Sequence, residues 1–283
     1  MTLHERAENR TLNNVKNLTV KKLNKLDDNG NTVWHVAARN DSLYQINKDL
    51  FTVEALSQIN NFKENVWYIA AMENTLRDIP KHLFNEKGMK QISRRGDTAW
   101  HMAAKCQTLK HIPKHLFTFE ALFTRDANGY TVWHHAVIRN TLKDIPKHLF
   151  TPEVFEYCNN NGETVFDLVL EYNHNITAFP KRLFTETLVN LFCERTRLFS
   201  DNNVLKHIPV YLFTNKMLKS GFEGENLEYI DYVLQMPDRL QAFIENNSNL
   251  EHDIEFRDPR LKLVKADTNL LYFELDGLTV ILL

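Results

Sequence analysis

The tryptophans of this chain are evenly spaced. All four recur at an interval of 33 residues, and a phenylalanine takes the next place in the series: Trp34, Trp67, Trp100, Trp133 and Phe166. Self-similarity at a fixed period of about 20 to 50 residues indicates a repeat array, in which each unit buries its hydrophobic face against its neighbours. The sequence therefore predicts a helical solenoid with these five aromatic residues in its structural core.

Two further phrases keep nearly the same register. "TLRDIPKHLF" at 75–84 returns at 108–117, 141–150 and, more loosely, 204–213. A closing phrase of the type "FTVEAL" occurs seven times between residues 18 and 218. The array is therefore predicted to run from about residue 15 to about residue 220, with degenerate last copies.

Each phrase carries the start signal of a short helix. A side chain that can cap exposed backbone N–H groups precedes every "VWH"-type phrase: Thr32, Asn65, Thr98, Thr131 and Thr164. Thr52, Thr118 and Thr151 stand in the same way before the closing phrases. Proline suits the first turn of a helix, so Ile-Pro marks a helix start. One unit is predicted to be a turn, a helix, a very short helix and a second helix, with Leu142, Ile145, Leu149 and Phe150 facing the core.

This pattern resembles the ankyrin repeat. The repeated words are Gly30, Thr32, Trp34, His35, Ala37, Ala38; Gly96, Thr98, Trp100, His101, Ala103, Ala104; and Gly129, Thr131, Trp133, His134, Ala136. They are similar to the Thr-Pro-Leu-His-x-Ala-Ala motif, although Val or Ala replaces its proline and Trp its leucine. The resemblance implies a mainly α solenoid whose second helix is split by the "IPKHLF" insertion. It also implies that His35, His101 and His134 make structural hydrogen bonds to neighbouring backbone.

An alternative family is the leucine-rich repeat, since "NTLKDIPKHLF" resembles part of its motif. That family requires a Leu-x-Leu strand just upstream. The upstream text here is "TVWHHAVIR", in which Trp133, Ala136 and Val137 have helical spacing. The ankyrin-like interpretation is therefore preferred.

Composition sets the broad class of the protein. The 283 residues are 43% hydrophobic and 25% charged, with a formal net charge of −2, which is typical of a soluble globular protein. The amino terminus lacks the apolar core of a signal peptide, and no apolar run is long enough to span a membrane. Cys106, Cys158 and Cys193 form no CxxC pair and are interpreted as free thiols. A cytoplasmic protein without membrane contact is expected.

Signatures of catalysis or of a bound cofactor are missing from the sequence. No GxGxxG, P-loop, GxSxG or HExxH motif occurs, and the eight glycines form no phosphate-binding loop. His111 and His115 have the spacing of a helical zinc pair, but Pro113 lies between them and breaks that helix. We predict no enzyme activity, no cofactor and no metal site.

Lysines form a ladder near the repeat period, at Lys48, Lys81, Lys114, Lys147 and Lys181. Stacked units would align them into a basic stripe of the kind that binds polyanions. Asp78 and Asp144 are interleaved, and the sequence pI is about 6.6. The preferred interpretation is a self-neutralised, solvated edge, so nucleic acid is not the expected partner.

The sequence changes character near Gly221, which sets the predicted domains at 1–220 and 221–283. Helical text is followed by three predicted strands, 261–265, 270–275 and 278–283, with a hairpin turn at Asp276-Gly277. Three roles remain open for this antiparallel sheet. It is a cap on the solenoid, a homo-oligomer interface through 261–283, or a small catalytic module whose candidate carboxylates are Asp253, Glu255, Asp258 and Glu274.

Positions that differ between the copies are the candidates for recognition. In ankyrin-like arrays the turn tips and the outer positions of the first helices line a concave surface that binds proteins. The predicted partner-binding residues are Asn31, Lys63, Glu64, Arg94, Arg95, Asp97, Lys105, Tyr130, Arg139 and Tyr172. The leading hypothesis is a non-enzymatic protein-binding scaffold or inhibitor. Similarity of "LKDIPKHLF" to ankyrin-type proteins of bacteria and their viruses implies an effector or counter-defence role; the alternatives are an effector enzyme and a structural oligomer.

Overall fold

A computed structural model describes residues 1–172, 179, 180 and 183, and three strands between 261 and 282. The chain divides into two compact units, Met1–Ala178 and Phe179–Leu283. The predicted domain boundary at 220 and the predicted helical text at 226–247 lie outside the described residues. Each unit is therefore described separately.

The first unit is a stack of short helices. Its α-helices are α1 Leu3–Glu8, α2 Val20–Leu23, α3 Val33–Arg39, α4 Val53–Ser57, α5 Val66–Met72, α6 Glu86–Met89, α7 Ala99–Lys105, α8 Phe119–Phe123, α9 Val132–Ile138 and α10 Val165–Glu171. Between them lie 3₁₀ turns at Leu12–Asn14, Leu43–Gln45, Lys48–Leu50, Leu76–Asp78, Lys81–Leu83, Leu109–His111, Lys114–Leu116, Leu142–Asp144, Lys147–Leu149 and Pro152–Phe155. The mainly helical, ankyrin-like repeat is thus confirmed.

One repeat consists of a turn, a first helix, two 3₁₀ turns and a second helix. The ten-residue phrase "TLKDIPKHLF", called the insertion from here on, contains both 3₁₀ turns, since Leu142–Asp144 precedes Pro146 and Lys147–Leu149 follows it. The sequence predicted only the second of these. Proline fixes the extended-to-helical transition, and Leu142, Ile145, Leu149 and Phe150 are all at most 4% exposed. The fifth second helix departs from the pattern: it is a 3₁₀ helix with Pro152 at its start, and Thr151 makes no side-chain cap bond.

The array begins earlier than the sequence pattern suggests. Helix α1 packs against α3 as a first helix, although its unit has neither tryptophan nor the insertion. Thr2 and Glu5 form a reciprocal capping box at its start, and Ala7 is fully buried. The Ser42 hydroxyl donates to the Ala7 carbonyl oxygen at 2.8 Å. An amino-terminal unit therefore covers the end of the stack and starts at Thr2 instead of near residue 15.

Tryptophan rings fill the space between the helices of each repeat. All four rings and Phe166 are at most 1% exposed. Trp34, Trp100 and Trp133 meet the phenylalanine that ends the insertion of their own unit edge-to-face, with ring centroids 4.7 to 4.9 Å apart. The 33-residue period of tryptophan therefore reports a packing requirement within each repeat.

The second unit contains an antiparallel sheet. Strands β1 Leu261–Asp267, β2 Leu270–Leu275 and β3 Leu278–Leu282 lie where the sequence predicts strands and are paired in the order β1-β2-β3. The β1–β2 register is interrupted between Leu263 and Lys265, whereas the β2–β3 register is continuous. The predicted carboxylates Asp253, Glu255 and Asp258 lie outside the described residues.

No helix in the described part of the chain is long and apolar enough to cross a membrane.

Candidate protein-binding face

Five turns precede the first helices and share one backbone geometry. In each, the N–H of the first residue donates to the carbonyl of the fifth, at 2.9 to 3.0 Å. We number them turn 1 (27–31), turn 2 (60–64), turn 3 (93–97), turn 4 (126–130) and turn 5 (159–163). In all five a side-chain oxygen of the first residue also accepts a backbone N–H bond within the turn, and in every turn except turn 3 it accepts two. The turns are therefore held internally.

Neighbouring turns are also tied to one another. The Asn61 N–H donates to the Asn29 carbonyl at 3.0 Å, and the Arg94 N–H donates to the Phe62 carbonyl at 2.8 Å. Turn 5 is joined to turn 4 in the same way, through Asn160 and Asn128 at 3.0 Å. These bonds fix the spacing of side chains among turns 1 to 3 and between turns 4 and 5, so each of these two groups is a pre-organised surface.

The fourth residue of every turn is in the left-handed region. Glycine occupies this position in four turns, with φ between 72° and 83°: Gly30, Gly96, Gly129 and Gly162. Turn 2 has Lys63 there instead, at φ 58°. A lysine pays a steric cost for this conformation that glycine avoids.

Three of the predicted binding residues are inside the face and not on it. Asn31, Glu64 and Asp97 are 2%, 9% and 8% exposed. The Asn60 side-chain amide donates to Asn31 Oδ1 at 2.9 Å and to Glu64 Oε2 at 3.0 Å. Since these polar groups are satisfied within the array, they position the turns and offer little surface to a partner.

Lys105 is the centre of a charged cluster. Its Nζ donates to Asp97 Oδ1 at 2.6 Å and lies 3.4 Å from Asp126 Oδ2, and its side chain is only 27% exposed. Asp126 Oδ2 also accepts from His135 Nε2 at 2.9 Å. Burial alone raises the pKa of Asp126, but the His135 hydrogen bond and the Lys105 charge outweigh it and hold this pKa below its ordinary value. Burial lowers the pKa of His135 to about 4, so at neutral pH it donates as a neutral ring.

Tyr130 packs on this cluster. Its ring is stacked on His135 with centroids 5.2 Å apart, and its hydroxyl donates to Glu163 Oε2 at 3.1 Å. It is half-buried. Tyr172, at the end of α10, is likewise half-buried. Tyr130 is therefore a fixed part of the face, with one edge accessible.

Four predicted residues are exposed cations: Lys63, Arg94, Arg95 and Arg139. Within residues 1–172 none of them forms an ion pair, whereas Arg39 lies 3.6 Å from Glu64 and Lys105 is paired twice. Lys63, Arg94 and Arg95 are on adjacent turns, and Arg139 is at the end of α9. The structure thus brings three of the four together.

The sequence prediction missed exposed apolar residues beside these cations. Leu26, Ile59 and Ile92 each precede a turn at the 33-residue interval and are 64%, 48% and 54% exposed. Phe62, in turn 2, is 48% exposed. The signal was an apolar residue recurring in otherwise polar turn text, because an exposed apolar series at the repeat period lies on one side of the stack.

The histidines of the ankyrin-like motif act as helix caps. The Thr32 N–H donates to His35 Nδ1 at 3.1 Å, so the ring proton is on Nε2, which donates to the Glu64 carbonyl at 3.1 Å. His101 bonds Thr98 and the Thr124 carbonyl in the same manner. Burial lowers the pKa of His35 and His134 to about 4. The hydrogen bonds of His35 and His101 to neighbouring backbone are structural, as the resemblance implied. His134 accepts the Thr131 N–H on Nδ1 at 3.0 Å, but within the described residues its Nε2 does not complete the second bond seen in the other two.

Metal-site geometry is not found in the described part of the chain, where no three His, Cys, Asp or Glu side chains form a suitable group. Some cations of the insertion segments are bonded within the array. Lys114 of the lysine ladder donates to the Asp144 carbonyl, and Arg77, in an insertion segment, lies 3.0 Å from Asp41. Lys181 is outside the described residues.

Comparison with known proteins found similar chains among solved structures. No family model matches the chain, and no curated protein does. EF0377, an ankyrin repeat protein, is similar at TM-score 0.47 and 21% identity, covering 62% of this chain and 94% of its own. A chain from the complex of the predatory endopeptidase Bd0816 of Bdellovibrio bacteriovorus with the immunity protein Bd3460 has TM-score 0.45 and 24% identity, covering 61% of this chain and 92% of its own. The ankyrin-like description rests on the repeat geometry of the chain itself.

Proposed function

We propose that this chain is a non-enzymatic protein-binding scaffold that acts by occupying the surface of a partner. The observation that carries the proposal is a set of exposed cations that form no ion pair within residues 1–172. Lys63, Arg94 and Arg95 lie on turns 2 and 3, which a backbone hydrogen bond joins, and Arg139 lies at the end of α9. Arginine is enriched among interface hot spots, and a pre-organised surface loses little conformational entropy on binding. Inhibition of the partner, in a bacterial or phage setting and in the cytosol, belongs to the same proposal.

Affinity capture with paired variants tests this function. The full chain and the variant Arg94→Ala/Arg95→Ala are used as baits in extract of the native host. A matched control, Lys110→Ala/Lys143→Ala, removes two exposed positive charges from the segments 108–117 and 141–150. We expect the turn variant to lose its captured protein by about tenfold or more in affinity, and the control to keep it. Undiminished capture by the turn variant would remove this face from the proposal.

Tyr130 needs a conservative substitution in this test. Tyr130→Ala would remove the ring that packs on His135 and would disturb the fold together with the surface. Tyr130→Phe removes only the hydroxyl that bonds Glu163. A binding loss in Tyr130→Phe with unchanged thermal stability would assign the hydroxyl to the partner.

A catalytic module in 221–283 is the rival function, and truncation near Gly221 discriminates the two. If the truncated chain keeps its partner and loses an effect on that partner's chemistry, the carboxyl-terminal region is catalytic. If it keeps both binding and inhibition, the scaffold proposal stands.

Self-association is a second candidate function, and the sheet favours it. Of the two outer strands described, β1 contains Lys262, Lys265 and a register break, which discourage pairing with another chain. Strand β3, "LTVIL", contains no charge, proline or register break. We propose that β3 pairs with β3 of a second copy. In sedimentation velocity, Thr279→Lys should convert dimer to monomer while Lys262→Thr should not; a wild-type monomer at every concentration would refute this.

A further inference from the structure

Turns 2 and 3 form a mixed patch of exposed apolar and cationic side chains. It consists of Ile59, Phe62, Lys63, Ile92, Arg94 and Arg95, and we call it the turn 2–3 patch. The three apolar residues are 48%, 48% and 54% exposed, and the three cations are also exposed. The Arg94 N–H bond to the Phe62 carbonyl joins the two halves at 2.8 Å. Aromatic, aliphatic and Arg side chains on one fixed backbone are the composition of an interface centre.

Charge in the patch is not compensated by the array. The acidic residues of the same turns, Glu64 and Asp97, are buried and directed to Arg39 and Lys105. Within residues 1–172, no carboxylate forms an ion pair with Lys63, Arg94 or Arg95. Three like charges on adjacent turns repel one another, and an acidic ligand would relieve that repulsion.

Backbone strain supplies an independent observation. Lys63 holds φ 58° at a position that is glycine in the other four turns, where φ is 72° to 83°. Glycine would remove the steric cost of this conformation. Arg10 and Gln107 also adopt the left-handed conformation, but Lys63 is the residue that does so at a turn position where the other four turns have glycine.

We propose that the turn 2–3 patch binds an acidic segment of a protein that also carries an apolar side chain. This inference rests on the proposed scaffold function and names the chemistry of the partner. The carboxylates of the segment would pair with the three cations, and its apolar side chain would cover Ile59, Phe62 and Ile92. Nucleic acid supplies negative charge, and its bases stack on aromatic rings, but the patch contains one aromatic ring beside two isoleucines, so a protein with aliphatic side chains is the better fit.

Synthetic peptides test the ligand chemistry on the full chain. One labelled peptide alternates Asp and Glu with Leu and Phe; a second replaces the apolar residues with Ser, a third replaces the acids with Lys, and an oligothymidine serves as the nucleic-acid probe. We expect the acidic apolar peptide to bind most tightly, to weaken as salt is raised, and to shift backbone amide resonances of 59–63 and 92–95. Equal binding of the oligothymidine, or shifts confined to the lysine ladder, would overturn the inference.

Lys63→Gly separates binding from folding. The substitution should raise Tm by about 1 to 3 °C, because the strain is removed. It should also lower the affinity for the acidic apolar peptide on the order of fivefold. Asn140→Gly is the matched control: Asn140 is another exposed non-glycine at positive φ, 55°, away from the patch. It should raise Tm less, because asparagine tolerates this region, and leave peptide affinity unchanged.

The scaffold function and the binding of an acidic segment at the turn 2–3 patch can fail separately. If Lys63→Gly is more stable and binds the peptide as tightly as wild type, the inference about Lys63 and its ligand fails. If Arg94→Ala/Arg95→Ala still loses the native partner in that case, the scaffold function survives it. If the array binds no protein through its turns at all, both fail.

Discussion

Equivalent residues of the repeats show how tightly each position is constrained. The series Ala55, Gly88, Ala121 and Val154 runs through the second helices, and all four residues are buried. At Gly88 a Cβ atom would lie 2.4 Å from a ring carbon of Trp67, so this repeat accepts no side chain. The sequence shows Gly88 in a helix, where glycine is unfavourable, but it does not show which neighbour excludes alanine.

Gly88→Ala is therefore expected to destabilise the array in spite of its better helix propensity. Overpacking of this kind costs about 1 to 3 kcal/mol, which exceeds the gain of roughly 1 kcal/mol in propensity. Urea unfolding measures the difference. Lys87→Ala, an exposed neighbour in the same helix, should stay within about 0.5 kcal/mol of wild type. A Gly88→Ala variant more stable than wild type would show that the Trp67 ring moves aside freely.

Most of the first helices are capped by two residues, one just before the helix start and one three positions later. The sequence predicted the threonine or asparagine caps, because these residues stand before a periodic apolar run. It did not show the reciprocal bond from the Thr32 N–H to His35 Nδ1, since histidine is not a usual partner in a capping box. The first 3₁₀ turn of the insertion was missed although "TLKD" has the Thr-x-x-Asp spacing of a helix start. Helix α1 was missed because its unit lacks tryptophan.

Buried histidines make the array sensitive to acid. His35, His134 and His135 have pKa values lowered from 6.5 to about 4 by burial. Above pH 6.5 they are neutral in both states; as pH falls from 6.5 towards 4 the unfolded chain takes up protons first, so stability is lost in that window. Each such shift corresponds to roughly 3 kcal/mol.

His35→Gln checks this assignment. Glutamine can accept the Thr32 N–H bond but does not titrate, so the fall in unfolding free energy between pH 6.5 and 4 should be smaller than in wild type. His82→Gln, at an exposed histidine of the insertion, should keep the wild-type pH dependence. If unfolding free energy depended on pH identically in all three proteins, protonation of His35 would not contribute to the acid sensitivity.

The whole molecule combines a regular frame with an irregular surface. Residues that repeat, such as Trp100 and Phe117, build the frame, and their period alone was enough to predict it. The binding face could be predicted only in part. Lys63, Arg94 and Arg95 are exposed as expected, whereas Glu64 and Asp97, which also differ between copies, are buried and form ion pairs within the array. A net charge of −2 sums exposed cations and buried carboxylates alike, so the composition does not reveal the positive charge on the turns.

Hydrogen–deuterium exchange of the full chain, with and without its captured partner, shows whether turns 2 and 3 bind the partner. We expect slower exchange on binding in residues 58–64 and 91–97, with little change in the insertion segments 75–84 and 108–117. Protection of the insertion segments with unchanged exchange in turns 2 and 3 would contradict the proposed binding face, because the partner would then lie on the insertion segments and not on the turns.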